Sequence, residues 1–227
     1  AAHGGQVQRE ADGRAEQPCL VAAGEYLHAV WSGGANGQIY YSSAFLRDGS
    51  TAGGWSEPVA LPGPERGQSV RSAPHLVADL GGNLHLVYAV PLNEGRGIYY
   101  LRSDDGGVSW SPLHTVLDAE AAGWARVDRP TVAVDVDGAL YVACVRATLD
   151  GSMTEGVYFA SSYDAGETWS SAFLISEEGG DYPQVAVASQ VNVHLIWYDA
   201  TGSGAWSGRW SVDGGRSWAP PIRVRGF

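Results

Sequence analysis

The sequence predicts an all-β fold: a β-propeller of four-stranded antiparallel blades, with four blade repeats in the chain. Three observations predict it. An eight-residue turn motif occurs three times, a proline leads each of four similar strands, and the composition suits short strands joined by tight turns. That composition has 31 Gly, 9 Trp and 11 Tyr in 227 residues, the usage expected of aromatic-rich strands punctuated by reversals.

The turn motif is Ser103-Asp104-Asp105-Gly106-Gly107-Val108-Ser109-Trp110. It returns at Ser162 to Trp169, through Asp164 and Gly166, and at Ser211 to Trp218, through Asp213 and Gly215. All three read Ser-x-Asp-x-Gly-x-(Ser/Thr)-Trp. The Asp carboxylate can accept backbone N–H groups inside a reversal, and the Gly can take the positive φ that the turn needs. The hydroxyl can tie down the next strand, and Trp110, Trp169 and Trp218 supply apolar anchors. The first Ser, the Asp, the Gly and the Trp of each copy, twelve positions in all, are therefore read as structural.

Aligning on the motif exposes a longer unit. Its first strand follows Pro18, Pro74, Pro130 or Pro183. The second strand reads Leu27 to Trp31, Leu84 to Tyr88, Leu140 to Cys144 and Val193 to Trp197. The third covers Ile39 to Tyr41, Ile98 to Tyr100, Val157 to Phe159 and, less regularly, Trp206 to Trp210. A fourth ends near Val59, Val116, Leu174 and Val224. Four strands in one repeated unit of this size are the signature of a propeller blade. The blades are expected at about 17–62, 71–117, 128–175 and 182–225. Residues 1–16 are expected to be a tail or the remnant of a preceding blade. Blade 1 keeps Trp55 but has lost the motif, with a longer segment between Tyr41 and Trp55.

Charge narrows the partners. Fourteen basic residues, every one Arg, stand against 25 acidic ones, for a net charge of −11. Nucleic acid and anionic membrane surfaces both need a basic footprint, so neither is expected. No apolar run reaches transmembrane length, and the N-terminus lacks the basic and hydrophobic regions of a signal peptide. Cys19 and Cys144 lie in different repeats, so free thiols are expected rather than a disulfide. His28, His85 and His194 share one position of the second strand in three blades. Packing or hydrogen bonding to a neighbouring strand explains them better than metal ligation, and no metal or cofactor is expected.

The turn motif resembles the Asp-box, or bacterial neuraminidase repeat, and the whole pattern from Gln17 to Val224 is similar to sialidase-like repeat proteins. The resemblance implies a ligand site on the face opposite the Asp-boxes, where strands 2 and 3 are joined and one blade leads into the next. Arg66, Arg71, Trp124, Arg126, Asp128, Arg129, Glu177, Glu178, Asp181 and Tyr182 fall there. Sialidases use three arginines on the substrate carboxylate, a tyrosine nucleophile paired with a glutamate, and an aspartate acid/base. Carried over, Arg71, Arg126 and Arg129 would be the arginines. Tyr182 with Glu177 or Glu178 would be the nucleophile pair, and Asp128 or Asp181 the acid.

This sequence departs from the family in two ways. The family's Arg-Ile-Pro signature has Arg two residues before the first-strand proline, where this chain has Glu16, Ser72, Asp128 and Asp181. Sialidase catalytic domains also have six blades, and four repeats are present here. No confident catalytic set results. The ligand-binding candidates are Trp124, Arg126, Arg129, Asp181 and Tyr182, with Trp124 available to stack on a sugar or to cover a blade junction. The expectation is an extracellular or cell-surface module that binds a glycan or a protein surface. A sialidase-type glycoside hydrolase, or an assembly module completing a larger propeller with another chain, are the alternatives.

Overall fold

The computed structural model describes residues 15–34, 37–65, 70–176, 179–188, 191–199 and 204–224. Its strands form four separate four-stranded antiparallel meanders. Blade 1 holds β1 (Ala15–Ala23), β2 (Tyr26–Gly33), β3 (Gln38–Phe45) and β4 (Val59–Ala60). Blade 2 holds β5 (Ser72–Ala78), β6 (Leu84–Val90), β7 (Gly97–Ser103) and β8 (His114–Asp118). Blade 3 holds β9 (Arg126–Val134), β10 (Leu140–Ala147), β11 (Thr154–Ser162) and β12 (Phe173–Leu174). Blade 4 holds β13 (Gly180–Ala188), β14 (Asn192–Asp199), β15 (Trp206–Ser211) and β16 (Ile222–Val224).

The prolines were expected to precede the first strands, but each lies inside one. Ala15 and Glu16, placed by the sequence reading in a tail or the remnant of a preceding blade, open β1. A proline is tolerated there because a β-bulge breaks the ladder beside it. Register shifts fall between Glu16 and Cys19, between Ser72 and His75, and between Asp181 and Gln184, with the same slip opposite Ala143 and Val145 in blade 3. The residue before each proline is left-handed: Gln17 (φ 53°), Ala73 (φ 50°), Arg129 (φ 50°) and Tyr182 (φ 48°). A non-glycine residue before proline normally avoids this region. Four such residues at one repeat position are stored strain.

Consecutive blades pack against one another. First strands run side by side in the order β1, β5, β9, β13. One apolar core joins blades 1 and 2 through Val30, Ile39, Leu76, Leu86 and Tyr88. A second joins blades 2 and 3 through Val87, Ile98, Val132 and Val142. A third joins blades 3 and 4 through Ala143, Val157, Val185 and Leu195. Alternation along each strand assigns one face to the preceding blade and one to the following blade.

The Asp-boxes act at these junctions as well as in their own turns. In the first, Asp105 Oδ1 accepts the Ser109 N–H at 2.9 Å and the Ser103 hydroxyl at 2.8 Å, and Oδ2 accepts the Ser109 hydroxyl at 2.5 Å. Asp164 and Asp213 repeat these contacts. The motif glycine, in the left-handed region at Gly107, Gly166 and Gly215, receives an aromatic side chain from the preceding blade. A methyl group at these glycines would overlap Tyr41, Tyr100 and Phe159 respectively. The same three rings meet Trp110, Trp169 and Trp218 edge-on, at centroid separations of 5.4, 5.4 and 4.9 Å.

Hydroxyls complete two of these locks. Tyr41 donates to the Gly106 carbonyl at 2.9 Å and Tyr100 to the Ala165 carbonyl at 3.1 Å. His28 and His85 contact these hydroxyls through Nδ1, each at 2.7 Å. Burial holds both histidines below their ordinary pKa, and both serve the junction; His194, at the same position of blade 4, is exposed. In blade 3 the pair becomes Tyr141 and Phe159, and Tyr163 supplies the missing bond by donating to the Gly214 carbonyl at 2.7 Å. Cys19 and Cys144 are free thiols. Cys19 Sγ accepts the Leu76 N–H at 3.3 Å across a blade junction, and burial pushes the Cys144 thiol up to about 12.

Two predictions follow from these junctions. Tyr100→Phe takes the partner from His85 Nδ1 and from the Ala165 carbonyl, without the compensation found in blade 3, and should cost about 1–3 kcal/mol in urea unfolding. The carboxyls of Asp105, Asp164 and Asp213 are lowered to about 2, first by the hydroxyl of Ser109, Thr168 or Ser217 and then by that residue's N–H. A depressed folded pKa contributes stability above the unfolded value near 4, and that contribution is lost as pH falls through the folded value. Unfolding midpoints should therefore drop between about pH 4 and 2, and Asp164→Asn should flatten that slope.

Candidate ligand-binding cavity

The strained ends of the first strands surround a cavity of about 480 Å³ on the face opposite the Asp-boxes. Its wall is built from three blades. Blade 1 contributes Glu16, Gln17, Ser32, Gly33, Gly34 and Gly37, blade 2 contributes Ser72, Pro91, Leu92 and Asn93, and blade 3 contributes Arg126 and Asp128. Val70 and Arg71, in the lead-in to blade 2, complete it. The volume suits a small ligand, and the wall is rich in hydrogen-bonding groups.

The bulges set the polar groups. Displacing the chain before each proline frees an N–H, and nearby side chains take it up. Gln17 Oε1 accepts the Ala73 N–H at 2.6 Å. Asp128 and Asp181 accept the N–H of the next residue, Arg129 or Tyr182, at 2.9 and 2.8 Å. Links between blades run around the same rim. Ser72 donates to Asp128 at 3.4 Å, and Arg129 donates to Asp181 at 2.9 Å. One residue past the proline, His75 Nδ1 accepts the Val132 N–H at 3.3 Å, as Cys19 does one blade earlier. Burial lowers the His75 pKa.

The candidate residues separate into two groups. Arg71, Arg126 and Asp128 come together at the cavity. Arg126 is bound to Asp128 at 2.8 Å, so its charge is already matched. Arg71 donates to the Leu61 carbonyl at 3.2 Å and lies against Gly63, where any side chain would overlap its guanidinium. Among the described residues it has no carboxylate partner. Arg129, Asp181 and Tyr182 form a second cluster, at the junction of blades 3 and 4. Arg129 pairs with Asp181, and its guanidinium carbon lies 4.7 Å from the centre of the Tyr182 ring. Tyr182 is 54% exposed, yet it does not line the cavity. The three arginines therefore do not converge. Glu178, Glu177 and Arg66 lie outside the described residues.

Trp124 does not present an open face to a sugar. It is buried at 6% exposure in the core between blades 2 and 3, with its ring centroid 4.3 Å from that of Tyr158. Its carbonyl accepts the Arg96 guanidinium at 2.7 Å. It covers a blade junction. Sequence reasoning missed Gln17, Ser32 and Asn93 as cavity residues. The proline register locates Gln17, since it equates that residue with Arg129 and Tyr182; no comparable signal marks the other two.

Four-stranded meanders packed side by side, with irregular loops around an axial mouth, define a β-propeller architecture. The sequence matches the BNR repeat-like domain over residues 26–225, and the chain belongs to that family. No curated protein sequence matches it. Among solved structures it is similar to a protein of unknown function from Dyadobacter fermentans, with TM-score 0.66 and 19% identity over 92% of this chain and 68% of the other. It is also similar to the Penicillium chrysogenum α-L-arabinanase, with TM-score 0.63 and 14% identity over 97% of this chain and 69% of that one. Against the NanB sialidase of Streptococcus pneumoniae the TM-score is 0.60 and the identity 12%, over 99% of this chain and 54% of the sialidase. These likenesses show a fold shared with sialidase-like glycoside hydrolases. The chain spans about half the length of that sialidase.

The two cavity arginines should behave differently on removal. Arg126→Ala removes the charge partner of Asp128, only 8% exposed, and should cost about 2 kcal/mol. Arg71→Ala should change stability by less than about 1 kcal/mol, because it breaks a single bond to a carbonyl. Urea unfolding of both variants checks this contrast.

Proposed function

We propose that this protein is a glycan-binding module whose ligand is a saccharide bearing a carboxylate, held in the cavity between blades 1, 2 and 3. One observation carries the reading: Arg71 stands at the cavity wall with no carboxylate partner among the described residues, while Arg126 beside it is neutralised by Asp128. A ligand carboxylate would complete Arg71 in a planar, charge-assisted pair. Ring hydroxyls would find Glu16, Gln17, Ser32 and Asn93 around it. The membership of the chain in the BNR repeat-like family and its fold likeness to sialidase and arabinanase structures support a sugar ligand.

Binding is favoured over hydrolysis by what the carboxylates already do. Glycoside hydrolysis needs two carboxyls, or their equivalents, free to exchange protons or attack across the scissile bond. Asp128 is occupied by Arg126, Ser72 and the Arg129 N–H. Tyr182 lies beneath Arg129, apart from the cavity lining.

Calorimetric titration with N-acetylneuraminate, glucuronate and arabinobiose tests the proposal. The two acids should bind, arabinobiose should not, and Arg71→Ala should reduce acid binding at least about tenfold while leaving the unfolding midpoint nearly unchanged. Preference for the neutral sugar, or full binding by Arg71→Ala, would overturn it. Turnover of a fluorogenic sialoside that is lost in Tyr182→Phe would replace it with the hydrolase reading.

A further inference from the structure

Two glycines of blade 1 shape the place that Arg71 occupies. The Arg71 N–H donates to the Gly37 carbonyl at 2.8 Å. Gly37 is left-handed (φ 55°), and a methyl group there would come within 2.6 Å of Val70 Cγ1 and 3.3 Å of the Arg71 backbone. Glycine lets the turn between β2 and β3 approach the lead-in to blade 2 this closely. The Arg71 side chain then reaches back over the segment between β4 and β5. Nη1 meets the Leu61 carbonyl at 3.2 Å. A methyl group at Gly63 would lie 2.0 Å from Cζ and 2.2 Å from Nε and Nη2, so the guanidinium fills the space a side chain would take.

The segment beneath the guanidinium is pinned. Leu61 is buried, and its N–H donates to the Ile39 carbonyl at 2.8 Å. Tyr88, fully buried, donates its hydroxyl to the Pro62 carbonyl at 3.0 Å. Burial raises the Tyr88 pKa, and the nearby charge of Arg71 acts against that rise. Pro62 and Pro64 flank Gly63, with φ fixed by their rings. The next junction carries a different pair at the same positions. Val127 stands three residues before Pro130, as Arg71 stands three before Pro74. Ala119 lies two residues past Leu117, the partner of Ile98, as Gly63 lies two past Leu61, which bonds Ile39. Ala119 and Val127 are fully buried in one apolar core. Where arginine replaces the valine, glycine replaces the alanine.

We infer that Gly63 is a positioning residue for ligand recognition, a reading that rests on the proposed role of Arg71: it seats the guanidinium, before any ligand arrives, where the saccharide carboxylate is met. A guanidinium held in advance loses less freedom on binding than one on a free stem. Gly63 lies outside the left-handed region, so alanine is compatible with the backbone there. The group that must give way is the end of a flexible side chain. Gly63→Ala therefore displaces the recognition group without removing it.

The test is a double-mutant cycle in the full 227-residue chain, read by calorimetric titration with N-acetylneuraminate and glucuronate. Gly53→Ala is the control, because a methyl group there meets nothing within 4 Å. Gly63→Ala should weaken acid binding at least about fivefold, and Gly53→Ala should leave it unchanged. Gly63→Ala added to Arg71→Ala should cause no further loss, since the glycine acts through the arginine. The unfolding midpoint of Gly63→Ala should stay close to that of the wild type. A second measurement needs no ligand. The Arg71 Nε–H resonance in a proton–nitrogen correlation spectrum, identified by its disappearance in Arg71→Ala, should move in Gly63→Ala and stay in place in Gly53→Ala. Full binding by Gly63→Ala, a further loss on top of Arg71→Ala, a midpoint lowered as far as in Arg126→Ala, or an unmoved Arg71 resonance would overturn the inference. A wild-type chain that binds neither acid overturns the carboxylate reading instead, and the resonance then decides whether Gly63 seats Arg71.

Discussion

Everything in this structure depends on an aromatic ring from one blade seated against the Asp-box glycine of the next. A single blade is a twisted four-stranded sheet with two apolar faces, and it cannot bury both by itself. The ring fixes how far one sheet slides over its neighbour, because the glycine admits it at one place only. Edge-on contact with the motif tryptophan then orients it. Tyr41, Tyr100 and Phe159 thus set the spacing of the whole stack. The Asp-box carboxylate holds the glycine in place, which joins turn chemistry to tertiary packing.

That stack brings the first strands together at the axis, and there the order of the repeat gives way. A proline in a ladder strand would leave a partner carbonyl without its donor. The bulge avoids this by pushing the preceding residue into the left-handed region. The cost, about 1–3 kcal/mol for each such residue, is offset by rim contacts such as Gln17 with the Ala73 N–H and Arg129 with Asp181. The same displacement turns side chains out of strand alternation and toward the rim. The strain at the proline and the polar lining of the cavity therefore share one cause.

The fold was legible because it repeats. The Asp-box, the proline and the second-strand histidine each occur at least three times, so their positions in the blade followed from alignment alone. The cavity was legible only in part. Arg71, Arg126 and Asp128 could be placed on the correct face, but the sequence does not say which charges neutralise each other. Arg126 and Asp128 are two residues apart, a spacing that puts them on the same side of a strand; Arg129 escapes to Asp181 because the bulge intervenes. Trp124 was ambiguous for another reason. A non-recurring aromatic can equally be a ligand platform or a unique plug, and only its packing on Tyr158 distinguishes the two.

Repetition and departure from it have different physical roles here. Positions that recur carry burden common to every junction, so an exception must be compensated nearby. Blade 3 illustrates this: Phe159 lacks the hydroxyl of Tyr41 and Tyr100, and Tyr163 restores the bond to the next turn. The cavity obeys the same logic in reverse, since Arg71 differs from its repeat equivalents and, among the described residues, has no carboxylate partner. In this protein the regular residues explain how the chain holds together, and the irregular ones indicate where it meets something else.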